Sequence, residues 1–240
     1  MKTVTMASAA MASAAMLVAA GPAFAADPSM TAVAGVAGLY DSTYAYAAAA
    51  AAVNGNIDAD GFLVRLGGGI GQYSYETRPG VRQGVGQQQA DAMMGYHEVL
   101  GVTHLTVYAG LEMQNHENSD PTATVRGARI GAKGQVELYS PLGGQFYTFA
   151  MGSFSSAYDS FYTQAKVGYH VTDRWSFGPE GSINGNDRYD HASTGGFISY
   201  DFGGPQLSVS GGYQWDLRAV APGIRNSDGP YGTAGVVMRF

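Results

Sequence analysis

The carboxyl-terminal part of the chain alternates strictly between apolar and polar side chains. From Leu207 to Leu217 the odd positions carry Leu, Val, Gly, Tyr, Trp and Leu, whereas the even positions carry Ser, Gly, Gln and Asp. Successive side chains of a strand point to opposite faces, so this period of two predicts an extended strand with one apolar and one polar face. The run is also as long as a tilted strand must be to cross a bilayer, about 9–11 residues.

The same alternation recurs along the chain and predicts twelve strands, with ten as the alternative count. The predicted strands cover residues 32–40, 43–53, 60–76, 87–98, 103–115, 125–139, 145–156, 159–171, 174–185, 191–201, 205–217 and 229–240. Short connections alternate with longer ones, and the long ones are predicted at 77–86, 116–124 and 218–228. Short periplasmic turns and longer outer loops are typical of outer-membrane barrels, and an even strand count returns both termini to the periplasm.

Ten charged side chains within these predicted strands fall on the polar face. They are Arg65, Asp91, Glu112, Arg129, Lys133, Glu137, Lys166, Glu180, Asp216 and Arg239. A cation facing lipid at the bilayer midplane costs roughly 2–4 kcal/mol, so the pattern favours strands with lipid on the apolar side. The sequence therefore predicts an all-β fold, a transmembrane antiparallel up-and-down β-barrel. With Arg174 added, the inward charges are close to balance, which predicts a narrow or plugged lumen filled by ion pairs.

The amino-terminal segment has the layout of a signal peptide. Lys2 precedes an apolar run from Met6 to Ala20, and Ala23-Phe24-Ala25 forms a cleavage site of small residues. We therefore expect residues 1–25 to be removed on export and residues 26–240 to form one barrel in the outer membrane of a Gram-negative bacterium. The chain has no Cys and a net charge of −6, which predicts no disulfides and argues against nucleic acid as a partner.

The aromatic residues divide into two predicted groups. Eight are expected to form girdles at the membrane interfaces: Tyr40, Tyr96, Tyr139, Tyr147, Tyr169, Trp175, Tyr200 and Trp215. Four tyrosines fall on the inward face: Tyr73, Tyr75, Tyr108 and Tyr162. Inward rings can stack on sugars or simply fill the lumen. With the inward charges Arg65, Glu112, Lys166 and Glu180 they make up the candidate ligand-binding set.

No motif for catalysis, metal or cofactor binding stands out. His97 and His116 could act as bases towards a serine, but no nucleophile-elbow pattern is present, and we assign no catalytic residue. His116, Glu117 and Asp120 share one predicted outer loop, which an ordinary solvated loop explains without a metal. The glycines between Gly67 and Gly71 precede no helix, so they indicate a bend or a close approach within a strand rather than a phosphate loop.

Four stretches of the sequence resemble the BcsS family of cellulose-biosynthesis proteins. They are DGFLVRLGGGIGQYSYE (60–76), GAKGQVELYSP (131–141), AKVGYHVTDRWSFGPEGS (165–182) and GPYGTAGVVMRF (229–240). The resemblance implies a barrel in contact with outer-membrane lipid, with cellulose or glucan and the cellulose secretion components as partners, and it brings no catalytic residues. We therefore expect a non-enzymatic accessory of cellulose biosynthesis or export. A lipid A-modifying hydrolase or acyltransferase and a small solute-specific porin are the alternatives.

Overall fold

The computed structural model of the chain describes residues 28–78, 80–218 and 228–240, so the predicted signal peptide lies outside the described residues. The described chain forms twelve strands. They are β1 (Met30–Leu39), β2 (Ser42–Ala52), β3 (Gly61–Arg78), β4 (Val81–Leu100), β5 (Thr103–Asn118), β6 (Gly127–Gly143), β7 (Phe146–Ser155), β8 (Ser160–His170), β9 (Trp175–Gly185), β10 (Asp190–Asp201), β11 (Gln206–Asp216) and β12 (Gly229–Arg239).

Each strand pairs antiparallel with its neighbours in sequence, and β1 also pairs with β12, which closes the barrel. The prediction of a twelve-strand up-and-down barrel is confirmed. Ser29 and Met30 donate their backbone N–H groups to the carbonyl of Phe240, so β1 begins where β12 ends. We call this end of the barrel the terminal end and the opposite end the distal end. Within the residues that the structure describes, no helix is both apolar and long enough to cross a membrane.

The outer surface carries an apolar band that ends before the strands do on the distal side. In β3 the outward positions are apolar from Phe62 to Ile70 and polar from Gln72 onwards. Ile70 pairs with Gln88 of β4, and Ala90 pairs with Met113 of β5. The outward faces of these neighbouring strands therefore change from apolar to polar within one outward position of each other along the ladder. The band of β3 spans about nine residues, which matches the hydrocarbon core of an outer membrane.

Strands β3 and β4 continue well beyond this band at the distal end. Their last pair is Arg78 with Val81, and β5 continues to Asn118. The prediction of a long loop at 77–86 is therefore wrong, whereas the loop predicted at 116–124 is present but shifted, at 119–126. These polar stretches alternate less clearly than lipid-facing strands do, because both of their faces contact water or other polar groups. The predicted loop at 218–228 lies largely outside the described residues.

Candidate functional site

One cavity of about 1270 Å³ follows the barrel axis. Its lining reaches from Gln206 and Val237 at the terminal end to Asp41 and Arg218 at the distal end. All eight residues of the predicted ligand-binding set line this cavity: Tyr73, Tyr75, Tyr108, Tyr162, Arg65, Glu112, Lys166 and Glu180. Register explains this convergence, because residues on alternate positions of every strand share the inner face.

A four-charge network crosses the wall formed by β3 to β6. Asp91 accepts from Arg65 at 2.5 Å and from Lys133 at 2.9 Å, and Lys133 also reaches Glu112 at 2.5 Å. The second oxygen of Glu112 accepts a hydrogen bond from the Gln114 amide at 2.6 Å. Each of the four charges comes from a different strand, and the two carboxylates are almost fully buried. The network ties four strands together and leaves neither of its cations without a carboxylate.

The opposite wall holds a smaller ionic group around Glu180. Lys166 lies 3.0 Å from one carboxylate oxygen of Glu180, and Ser210 donates to the same oxygen at 3.0 Å. Tyr231 donates to the other oxygen at 2.9 Å. The Lys166 ammonium also sits over the ring of Phe197, 4.9 Å from its centroid. Lys166 is therefore held by a carboxylate and an aromatic face together.

Several inward tyrosines lie against glycines of a neighbouring strand. A Cβ at Gly95 would come within 2.3 Å of the Tyr108 ring, and one at Gly168 within 2.1 Å of the Tyr147 ring. Gly69 makes room for Tyr44 in the same way, and a Cβ at Gly67 would stand 3.0 Å from Asp91. The expected close approach within the glycine run of β3 is confirmed. The rings rest on the barrel wall and leave the axis free.

Tyr44 and Tyr46 belong to the cavity lining, although the sequence analysis did not include them. Their strand, β2, is rich in alanine on both faces, so its alternation does not reveal which side faces inward. The register does, because Tyr44 pairs with Gly71 and Tyr46 pairs with Gly69 on the inner face of β3. The signal in the sequence that could have identified them is the glycine run of β3, which lies opposite two alternate tyrosines of β2.

Aromatic packing narrows the lumen at the distal end. Tyr158, in the β7–β8 turn, is 1% exposed and stacks edge-on against His116, with ring centroids 4.9 Å apart. Tyr158 and Asp159 both have positive φ, a strained backbone that turns the Tyr158 ring inward. In the β9–β10 loop, Tyr189 packs 6.0 Å from Tyr73, and its burial raises its pKa to about 12. This packing supports the expectation of a narrowed lumen at one end.

At the terminal end four inward rings follow one another along the wall, one on each strand from β5 to β8. We call His104, Tyr139, Tyr147 and His170 the mouth arc. Successive ring centroids are 6.2, 5.7 and 4.8 Å apart. The assignment of Tyr139 and Tyr147 to the lipid-facing girdle is wrong, because both lie on the inner face and line the cavity. Both were assigned to the girdle because they stand close to strand ends, although Tyr139 shares the face of Lys133 and Glu137 in the alternation of β6.

The outward girdle at the terminal end is made by other rings. Tyr96 packs on Phe62, Tyr169 packs between Phe146 and Phe177, and Trp175 packs on Tyr200. These rings surround the barrel where the apolar band ends. They have the apolar body and polar tip that suit the headgroup region of a membrane.

The predicted balance of inward charge does not hold for the cavity. Its lining contains nine Asp and Glu residues but only five Lys and Arg residues. Three predicted inward cations lie elsewhere: Arg129 stacks on Tyr158, Arg174 donates to Tyr200, and Arg239 pairs with Asp58 at the rim. The lumen is therefore acidic. These three cations sit at strand ends, where alternation does not determine which way a side chain points.

The histidines proposed as alternative bases do not reach a serine side chain among the described residues. His97 contacts Thr106 at 2.8 Å and His104 at 3.2 Å, and His116 contacts Tyr73 and Gln114. His116 and Glu117 lie on opposite faces of β5, so His116, Glu117 and Asp120 do not assemble into a site. In the described part of the chain no group of three or more His, Asp or Glu residues could hold a metal ion.

A family model described as cellulose biosynthesis protein BcsS matches residues 33–240. The chain belongs to the BcsS family. This match covers the barrel from β1 to the last residue, and it indicates a role in cellulose biosynthesis. A search of curated proteins finds no match.

Two solved structures with a fold similar to the barrel are channels. The KdgM porin aligns with a TM-score of 0.51 and 7% identity, over 88% of this chain and 99% of that chain. A TodX monoaromatic hydrocarbon channel, the deltaS2S3 mutant, aligns with a TM-score of 0.53 and 7% identity, over 88% of this chain and 89% of that chain. At this identity the likeness concerns the fold. The protein is an integral outer-membrane β-barrel of a Gram-negative bacterium.

Proposed function

We propose that this BcsS-family barrel is a non-enzymatic accessory of cellulose biosynthesis, whose lumen binds or guides a glucan chain at the outer membrane. The observation that carries the proposal is the axial cavity, in which Tyr44, Tyr46, Tyr108 and Tyr162 join the ionic groups on the two walls. Aromatic faces beside a few fixed polar groups are what a small carbohydrate site requires. We further propose that the terminal end faces the periplasm and the synthesis machinery.

Deletion of the gene from a cellulose-producing strain tests this role. The expected result is a change in cellulose yield, crystallinity or attachment to the cell surface, restored by the wild-type gene in trans. A matched pair of variants separates the lumen from the membrane face: Tyr162→Leu changes the cavity, whereas Phe177→Leu changes only the outer surface. Unchanged cellulose in the deletion strain would contradict the proposal.

A small solute-specific porin is the second candidate. One observation favours it: the cavity reaches both ends of the barrel, and similar folds include the KdgM porin, one structure of which is in complex with disordered oligogalacturonate. Single-channel recordings in a planar bilayer test it. Discrete conductance steps that a saccharide blocks would favour the porin, whereas a silent bilayer with correctly folded barrel would exclude it.

A further inference from the structure

The mouth arc occupies a third of the barrel circumference at the terminal end, and no residue of it belongs to the predicted ligand-binding set. Its rings stand on four adjacent strands and are all directed to the cavity side. Tyr139 pairs directly with inward Phe149 on β7, and Tyr147 precedes Phe149 by two residues on the same strand. The stacking surface therefore runs across the strands, around the inner wall, rather than along one strand.

Tyr147 at the centre of the arc is fixed in position before any ligand arrives. Its ring rests on Gly168, where a side chain would clash with the ring. Its hydroxyl lies 3.0 Å from Ser176 Oγ, which in turn lies 2.6 Å from Ser199 Oγ. A ring that is held by its neighbours loses little conformational entropy when a ligand stacks on it, so it is suited to binding.

The charges near the arc decide what kind of ligand can approach. Lys166, the nearest cavity cation, is engaged by Glu180 and covers Phe197. Glu137, two residues before Tyr139, accepts a 2.5 Å hydrogen bond from Gln135 and forms no ion pair with any residue that the structure describes. Inside the cavity an anionic chain would meet the Glu137 carboxylate, while Lys166 is already paired with Glu180. An uncharged chain would meet rings and hydroxyl groups.

We propose that the mouth arc is a binding site for an uncharged pyranose chain, which stacks on Tyr139 and Tyr147 as it enters the acidic lumen from the terminal end. The inference rests on the proposed function and adds a location and a charge selectivity to it. Stacking on the rings supplies affinity for any pyranose. Glu137 beside the arc, together with the nine carboxylates against five Lys and Arg residues in the whole lining, disfavours polyanions such as oligouronates.

Calorimetry with the full barrel in detergent or nanodiscs tests the proposal, with cellohexaose and hexagalacturonate as ligands. Cellohexaose should bind, and hexagalacturonate should bind at least about tenfold more weakly, with the gap narrowing as salt screens the carboxylates. The double variant Tyr139→Leu/Tyr147→Leu should weaken cellohexaose binding about tenfold or more, because two stacking faces are lost. Tyr147→Phe, which keeps the ring and removes only the hydroxyl, should retain most of the affinity.

Tyr169→Leu is the matched control, since Tyr169 lies at the same height on the outward face and pairs with Phe146. It should leave cellohexaose affinity unchanged within a factor of about two. Unchanged binding in the Tyr139→Leu/Tyr147→Leu variant would overturn the arc as the site but leave the proposed function standing. Equal affinity for both saccharides would overturn the charge selectivity. A wild-type barrel that binds neither saccharide would overturn the arc together with glucan binding in the lumen.

Discussion

Strands β3–β5 and β8–β11 stand on opposite sides of the barrel and differ in length and in polar content. The first group has 18, 20 and 16 residues, whereas the second has 11 or 12 residues per strand. The second group is just long enough to cross a membrane. In strands β3–β5 about half of the length crosses the membrane. The rest extends beyond it and positions Tyr73, Tyr75 and His116 at the distal opening. The comparison separates residues that cross the membrane from residues that shape the lumen.

The two sides also differ in how their ion pairs are connected. Asp91 serves two cations, Arg65 and Lys133, whereas Glu180 serves Lys166 alone. Lys166 also keeps more of its side chain exposed to the cavity, 18% against 9% for Lys133. Removing Asp91 therefore breaks two ion pairs, although Lys133 keeps Glu112, whereas removing Glu180 breaks one.

The largest expected effect is that of Asp91→Asn. We expect a loss of about 3–5 kcal/mol in the free energy of unfolding, because Arg65 loses its only carboxylate and Lys133 keeps only Glu112. Glu180→Gln should cost less, about 1–3 kcal/mol, because the amide can still bond Ser210 or Tyr231. Urea unfolding in lipid vesicles, followed by Trp fluorescence, measures both.

The control for this pair is Asp58→Asn, which removes an exposed carboxylate that pairs with Arg239 at the rim. An exposed ion pair is worth about 0–1 kcal/mol, so this variant should unfold like the wild type. If Glu180→Gln proved as costly as Asp91→Asn, the proposed difference between the two walls would be wrong.

In both walls tyrosine rings pack against glycines, and we expect a smaller difference in stability between variants at these glycines. Gly168→Ala should cost about 1–3 kcal/mol, because the new methyl group meets the Tyr147 ring. Gly69→Ala should cost more, since its methyl group would meet both Tyr44 and the backbone carbonyl of Ala45 at 2.9 Å. The same urea titration ranks the two variants.

Two comparisons make that result interpretable. Gly38→Ala introduces a methyl group with no atom within 4 Å and should leave stability within about 0.5 kcal/mol of the wild type. Adding Tyr147→Ala to Gly168→Ala should cost less than the sum of the two single changes, because the clash disappears. Additive losses would show that the ring does not rest on Gly168.

The sequence was sufficient to predict the barrel, because alternation over a membrane-spanning length has few other physical causes. It placed Arg65, Glu112, Lys166 and Glu180 on the inner face for the same reason. Alternation in β6 places Tyr139 on the face of Lys133 and Glu137, so its assignment to the girdle ignored that pattern, whereas β7 alternates too weakly to place Tyr147. Alternation also could not show which face of β2 points inward, because alanine occupies both faces. Only the register between strands shows that Tyr44 faces the cavity.

The extension of β3 and β4 offers the smallest expected effect on stability. Replacing residues 76–82 with Asn-Gly joins Tyr75 to Gln83 through a two-residue turn that matches the twist of a hairpin. Tyr75 and Gln83 already pair across the ladder, so the register is preserved. The removed part lies beyond the apolar band and contributes the exposed Arg82 contact to Asp41. We expect the free energy of unfolding to change by less than about 1 kcal/mol.

The same replacement keeps Tyr73, Tyr75 and their contacts to His116 and Asn118, so the distal packing should persist. Protease accessibility of the β5–β6 loop measures that packing, because Asn118 also holds the carbonyl of Val125 at 3.1 Å. Unchanged stability together with unchanged cleavage would mean that only the tyrosines of the extension shape the lumen. A loss of several kcal/mol would instead mean that the projecting hairpin is part of the barrel's folding unit, and that strand length beyond the membrane contributes to stability after all.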